Sequence, residues 1–140
     1  MASLKPTLTL TGTQVDLGST LSLTVGPDDL SVVTPMIGIS KIVAPDNSPG
    51  TLTNIFTAAA TDPEGAAVFN TYCYVKHTGN EDDGVTATTN ILRVDIGGTD
   101  CLRLKAEEFA FFPVKVGLVV GIVSTGTTTI EVEYAYWTGD

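Results

Sequence analysis

Two adjacent carboxylates, Glu107 and Glu108, stand just before a dense aromatic segment and are the first candidates for acid–base chemistry. A cooperating acid pair needs two carboxyl groups that converge on one reacting atom. Neighbouring side chains of a strand project to opposite faces of the sheet, so this pair would not converge there. We therefore expect the two acids to mark a solvated turn between strands, although one carboxylate alone could still act.

The chain has a single histidine, His77, placed directly before Thr78 and Gly79. One histidine excludes a metal site built from two or three histidines of this chain, and no G-x-S-x-G nucleophile elbow accompanies it. Phosphate-binding loops of the G-x-x-x-x-G-K type and dinucleotide fingerprints are also missing from the sequence. The sequence predicts a hydrogen-bonded surface histidine at a strand end, and no enzymatic activity.

An acidic segment at residues 80–84, with the sequence NEDDG, offers several oxygen ligands of the kind that calcium prefers. It lacks the spaced aspartates and the distal glutamate of an EF-hand loop. We favour a solvated loop over a calcium site, and we predict neither a metal nor a cofactor for this chain.

Two cysteines, Cys73 and Cys101, fall in different strand candidates and have no C-x-x-C spacing. This spacing gives no support to a zinc site or a redox motif. We favour two reduced thiols in or beside a core, because a disulfide would require the two strands to be neighbours.

Aromatic residues gather near the end of the chain, where Tyr134, Tyr136 and Trp137 could stack on a sugar. Strand alternation places Tyr134 and Tyr136 on one face and Trp137 on the other. Packing at a subunit boundary or at the edge of the core is the favoured interpretation, and glycan binding is the alternative.

A second aromatic group, Phe109, Phe111 and Phe112, precedes a near-continuous apolar run at residues 114–123. This run is more apolar than a sheet with one solvated face needs. We expect part of it to contact a neighbouring subunit.

Composition limits the classes of partner. Of the 140 residues, 43% are hydrophobic and 16% are charged, which predicts a single packed domain over residues 1–140. The formal charge is −9 and the seven cations are scattered along the chain, so we expect no nucleic-acid partner.

Threonines interrupt the N-terminal segment where a secretory signal would need an apolar core, and the run at 114–123 is shorter than the ~20 residues of a membrane helix. We therefore expect no membrane partner.

Strands must position these candidates, because threonine, valine and isoleucine are abundant and no helical periodicity is sustained. Alternation over residues 7–25 predicts two half-buried strands, and the pair at 97–98 predicts a tight hairpin. Glycine, proline and acidic clusters at 26–30, 44–50 and 61–65 predict turns. About eight to ten short strands with regular turns predict an all-β fold, an antiparallel β-sandwich or jelly roll.

The motifs TYCYVKHTGN, LRVDIGG, LRLKAEEFAFFPV and TTTIEVEYAYW follow one another along the second half of the chain. Together they resemble the C-terminal half of small virion structural proteins of tailed bacteriophages. The N-terminal LTLTGTQVDLGSTLSLTV is similar to the opening of such proteins. The sequence departs from the family at Glu107, where the pattern has a glycine before the glutamate, and this leaves the turn type open.

The resemblance implies a non-enzymatic β-sandwich that is used many times on a particle, such as a capsid decoration or cement protein. It further implies a homo-oligomer, such as a trimer, that binds the major capsid protein or other virion proteins after assembly in the host cytoplasm. The acidic surface favours the outside of the DNA-filled head. A tail or baseplate component, or a glycan-binding adhesion module, is the alternative.

We expect the N-terminal strands to contribute to subunit or capsid contacts. The aromatic residues predicted to form the interface are Phe109, Phe111, Phe112, Tyr134, Tyr136 and Trp137.

Overall fold

The computed structural model describes residues 2–4, 6–14, 19–26, 30–35, 39–48, 51–57, 70–115 and 117–139. Over these residues the chain contains twelve strands and no helix, so the predicted all-β class is confirmed. The strands are β1 (Ala2–Leu4), β2 (Leu8–Gln14), β3 (Ser19–Val25), β4 (Leu30–Pro35), β5 (Ser40–Ala44), β6 (Thr53–Thr57), β7 (Asn70–His77), β8 (Leu92–Ile96), β9 (Thr99–Leu104), β10 (Phe109–Lys115), β11 (Val119–Ser124) and β12 (Ile130–Gly139). In this part of the chain there is accordingly no helix long and apolar enough to cross a membrane.

The strands form two larger sheets and a hairpin, and every pairing is antiparallel. The six-stranded sheet has the order β1-β4-β12-β7-β10, with β5 also paired to β12. The four-stranded sheet has the order β6-β11-β8-β9, and β2 pairs with β3. Strand β12 organises the larger sheet, because β7 lies along one side of it while β4 and β5 share the other.

The core lies between the two larger sheets. Val75 and Val132 enter it from the six-stranded sheet, and Leu92 and Ile122 enter it from the four-stranded sheet. All four side chains are fully buried. Two sheets that share one apolar interior make a sandwich, so the predicted antiparallel β-sandwich is confirmed.

Predicted local elements are found where the structure describes them. The two N-terminal strands form a hairpin in which Leu10 is opposite Leu23. Gly97 and Gly98 both have a positive φ and close the hairpin between β8 and β9, as a two-residue turn requires. The turn segments predicted at 26–30, 44–50 and 61–65 lie partly or wholly outside the described residues.

The apolar run at 114–123 is interrupted by a turn. Strand β10 ends at Lys115, Gly117 has a φ of 78°, and the chain resumes as β11. Val120 and Ile122 are fully buried within the chain, because β11 lies between β6 and β8. The buried part of β11 is therefore not available to a neighbouring subunit, since neighbouring strands of the same chain already cover it, and a subunit contact by the rest of the run stays a prediction. This additional division of the chain also helps to explain why there are more strands than predicted.

Candidate interaction surface

The outer face of the six-stranded sheet carries a cluster of aromatic side chains. Inward and outward positions alternate along β7, where Cys73 and Val75 are buried and Tyr72 and Tyr74 are half-buried on the opposite side. Residues directly opposite each other on antiparallel strands share a face. The outer aromatic face, as we call it, consists of Tyr72, Tyr74, Phe109, Phe111 and Trp137.

The register brings these rings into contact across three strands. Phe111 is opposite Tyr74, and Trp137 is opposite Tyr72. The rings of Tyr72 and Phe111 are nearly parallel, at 3°, with centroids 6.1 Å apart. Tyr74 and Phe109 are 6.2 Å apart, and Phe111 and Trp137 are 6.3 Å apart. Such ring contacts stabilise the sheet, but Phe109 remains 52% exposed and Phe111 remains 37% exposed.

A row of charged side chains borders the aromatic rings. Glu133 of β12 is opposite Lys41 of β5 and Lys76 of β7. Lys76 Nζ lies 3.2 Å from Glu107 Oε2, and Lys41 Nζ lies 2.9 Å from Glu131 Oε1. The hydrogen bond that the Lys76 ammonium donates to the Glu107 carboxylate raises the pKa of Lys76. The charges at this border are therefore largely paired within the chain.

The tyrosine in the middle of the face stays neutral. Burial raises the pKa of the Tyr74 phenol, and the nearby Glu133 carboxylate raises it further. The Tyr74 hydroxyl can therefore act as a hydrogen-bond donor beside the exposed rings.

The six aromatic residues predicted for an interface do not share one surface. Phe109, Phe111 and Trp137 lie on the outer face, whereas Phe112, Tyr134 and Tyr136 pack against the core. Tyr136 stacks on Phe56 of the opposite sheet, with ring centroids 4.7 Å apart.

Tyr134, Tyr136 and Trp137 therefore do not form one exposed sugar platform. The predicted division of these three residues between two strand faces is confirmed. The structure adds Tyr72 and Tyr74 to the outer face. In the sequence, their alternation with Cys73 and Val75 indicates that the two tyrosines share one face of a strand. It does not indicate which strands lie beside β7.

The two carboxylates Glu107 and Glu108 lie in a turn between β9 and β10, as predicted. The Glu108 amide donates a 3.0 Å hydrogen bond to the Lys105 carbonyl, which closes the turn. Glu107 is its third residue and has a φ of 69°, the conformation that a type II turn places there. Glu108 Oε2 accepts a 2.7 Å hydrogen bond from the Lys105 amide, so this carboxylate also supports the turn.

His77 is buried, with 0% of its surface exposed, so the expectation of a surface histidine is wrong. The backbone at residues 79 and 90 contacts its ring. Nδ1 accepts a 2.9 Å hydrogen bond from the Gly79 amide, which leaves the proton on Nε2 to be donated to the Asn90 carbonyl, also at 2.9 Å. Both ring nitrogens therefore hold loop backbone and are not available for proton transfer to a ligand.

The acidic loop at 80–84 uses its side chains to fix its own conformation. Asp83 Oδ1 accepts hydrogen bonds from the amides of Val85, at 2.8 Å, and Thr86, at 2.7 Å. The Thr86 hydroxyl donates to the other oxygen. These hydrogen bonds lower the pKa of Asp83, and the bond from the Thr86 hydroxyl has the largest effect. Within the described ranges, no cluster of three or more histidine, cysteine or acidic side chains could hold a metal ion.

The cysteines are both reduced and lie in different sheets. Cys73 is buried in the six-stranded sheet, and Cys101 is exposed on β9 of the four-stranded sheet. Burial raises the pKa of the Cys73 thiol to about 12, so this thiol is an inert core group.

A shallow groove of about 410 Å³ lies beside Leu52, Gly117 and Gly121. The acid that lines it, Asp95, is held by Arg93 through two hydrogen bonds of 2.7 Å. This carboxylate is therefore engaged within the chain, and the outer aromatic face is the stronger candidate for an interaction site.

No protein-family model matches the chain, and no curated protein matches it. Among solved structures, the cupin domain of Schizosaccharomyces pombe Cnp3 is similar, with a TM-score of 0.42 and 10% sequence identity. That similarity covers 94% of this chain and 87% of the cupin-domain chain.

Proposed function

We propose that this chain is a non-enzymatic structural protein of a tailed-bacteriophage particle, a decoration or cement protein on the outer surface of the head. The observation that carries the proposal is the outer aromatic face. Exposed apolar patches that are rimmed by polar residues are candidates for protein contact sites. A protein that works by surface contact fits the resemblance of its strand and turn motifs to virion structural proteins.

The groups that the sequence offered for catalysis support a contact function rather than a reaction. His77 holds two loop backbones through both ring nitrogens, and Glu108 supports the turn before β10. Asp83 is similarly engaged by its own loop. These side chains fix the geometry of loops around a rigid sandwich.

The charge supports the outer surface of the head as the location. The formal charge of −9 would be repelled by packed DNA inside the shell. On the outside, the same charge would keep the free protein soluble before it binds.

A binding assay with undecorated phage heads tests this function. Purified protein is mixed with heads that lack a decoration layer, and bound protein is measured by co-sedimentation. We expect saturable binding with a fixed number of copies per head and higher thermal stability of the loaded heads. Protein that stays in the supernatant at all concentrations, with heads from several tailed phages, would contradict the proposal.

Glycan binding is the second candidate, and the parallel rings of Tyr72 and Phe111 are the observation that favours it. Their faces, next to the Tyr74 hydroxyl, resemble the stacking and hydrogen-bonding groups that hold a pyranose. A glycan array probes this candidate directly. Binding that Tyr72→Ala abolishes would support it, and an array with no signal would remove it.

A further inference from the structure

We propose that the outer aromatic face binds a second copy of this chain. The inference rests on the proposed function and deepens it, because it names a second copy of this chain as the partner that this face contacts on the head. Two properties of the described residues carry it, the protection of two sheet edges and the distribution of charge, and the size of the face sets the expected strength.

The edge strand β10 is protected against pairing with another chain. The His77 amide donates to the Glu108 carbonyl at 3.0 Å, and the ladder between β7 and β10 continues from there without a register shift. Antiparallel ladders alternate, so the odd-numbered residues of β10 direct their backbone groups away from β7. Pro113 occupies one of these positions and has no N–H to offer a new strand.

The edge strand β9 is protected by a bulge. Val94 is opposite Leu102 and Asp95 is opposite Asp100, which leaves Cys101 without a cross-strand partner. Bulges bend an edge and interrupt the pattern that a further strand would follow. Association through β9 or β10 is therefore disfavoured.

The distribution of charge favours another acidic chain as the occupant. Three cations, Lys41, Lys76 and Lys115, and three carboxylates, Glu107, Glu131 and Glu133, border the rings and leave no net charge there. The rest of the chain then carries all nine net negative charges. A basic partner would be attracted to that remaining surface, whereas a second copy avoids repulsion only where the charge is paired.

The size of the face predicts a weak contact. Three strands at ~4.8 Å spacing and four residue steps of ~3.4 Å give a patch about 14 Å on a side, or about 200 Å². This is well below the ~800 Å² per partner of a standard interface, so we expect a weak contact with a dissociation constant that is micromolar or higher. A regular array of sites on a particle would raise the effective concentration enough to fill such contacts.

The single tryptophan reports directly on this contact. Trp137 is the only tryptophan of the chain and belongs to the outer aromatic face. We would dilute the purified protein from about 100 to 1 μM, a range that brackets a micromolar dissociation constant, and record tryptophan emission and sedimentation velocity. We expect a red shift of the emission and a fall in the sedimentation coefficient over the same range.

The double variant Phe109→Ser/Phe111→Ser tests the face, and Val85→Ser is its matched control. Val85 is 82% exposed in the loop after the acidic segment and lies outside the face. We expect the double variant to sediment as a monomer, with a tryptophan emission that does not change on dilution. The control should behave as the wild type, and circular dichroism should show strand content in both.

The single variant Phe109→Glu provides a second test if the double variant does not fold. Phe109 is half-exposed at the start of β10, so the substitution should leave the core intact while adding like charges between two acidic copies. We expect at least tenfold weaker self-association.

A wild-type protein that is monomeric at every concentration would overturn the inference, as would variants that associate like the wild type. Monomers that bind heads would overturn it while leaving the proposed function standing. Oligomers that do not bind heads would do the reverse.

Discussion

At the scale of single residues, Glu107 is a non-glycine residue with a positive φ, a conformation that strains its backbone. The family pattern that the sequence resembles has a glycine here, and Glu107 does have the positive φ that glycine adopts readily. A side chain in this conformation costs roughly 1–2 kcal/mol, and a β-branched one is worse. The turn between β9 and β10 therefore places a glutamate where a glycine would be the least strained residue.

Substitution at Glu107 should separate backbone strain from side-chain contacts. We expect Glu107→Gly to be more stable than Glu107→Val by about 1–2 kcal/mol, because only valine is strained at positive φ. Urea unfolding of both variants measures the difference. Ala106→Val is the control, since Ala106 has no positive φ and should tolerate a β-branched residue. Equal stability of the two Glu107 variants would contradict the strain.

The Cys73 thiol predicts a loss of stability at alkaline pH. Burial raises its pKa from 9.0 to about 12, so the folded state holds the proton more tightly than the unfolded state does. This contribution is complete below about pH 9 and is lost as the pH rises toward 12, at roughly 1.4 kcal/mol per pH unit as an upper value. Urea unfolding of wild type and Cys73→Ala at pH 8 and pH 10.5 measures it.

The alanine variant should be less stable at pH 8, because it leaves a small cavity, but it should lose less stability between the two pH values. Cys101→Ala is the control, since that thiol is exposed. Parallel pH profiles for all three proteins would show that Cys73 does not carry the effect.

At the scale of elements, alternation within a strand was predictable and the neighbours of a strand were not. The sequence indicates that Tyr72 and Tyr74 oppose Cys73 and Val75, and the structure agrees. The outer aromatic face, however, requires β7 to lie between β10 and β12, and no local pattern specifies these long-range pairings. The burial of His77 was not predictable for a similar reason, because it depends on the loop at 78–91, whose backbone contacts both ring nitrogens.

Pro113 should prevent edge-to-edge association through β10. Pro113→Val restores an N–H that points away from β7, so we expect faster aggregation with little change in the melting temperature. Light scattering during incubation at 37 °C measures the rate. Lys115→Val is the control, because it adds apolar surface on the same strand without adding a backbone donor. Equal aggregation of the two variants would mean that apolar surface, rather than the edge donor, controls the rate.

At the scale of the whole molecule, the charge of −9 opposes the association of copies while the outer aromatic face favours it. Salt shortens the range of repulsion, from a Debye length of about 30 Å at 0.01 M to about 8 Å at 0.15 M. We therefore expect self-association to become several-fold tighter over this range of salt, as measured by sedimentation. Weaker association in salt would indicate that attraction between opposite charges, rather than contact between rings, holds the copies together.

The central position of β12 has a consequence for how the chain reaches this structure. Strands β4, β5 and β7 are all made before residues 130–139, yet each pairs with β12. Until that segment has left the ribosome, β5 lacks the strand that it pairs with, and β4 and β7 each have one unpaired edge. Sheet formation of such high contact order is slow, so the nascent chain exposes these strand edges for longer than a protein built from local hairpins would. Timely folding should therefore depend on chaperones that shield those edges until β12 is available.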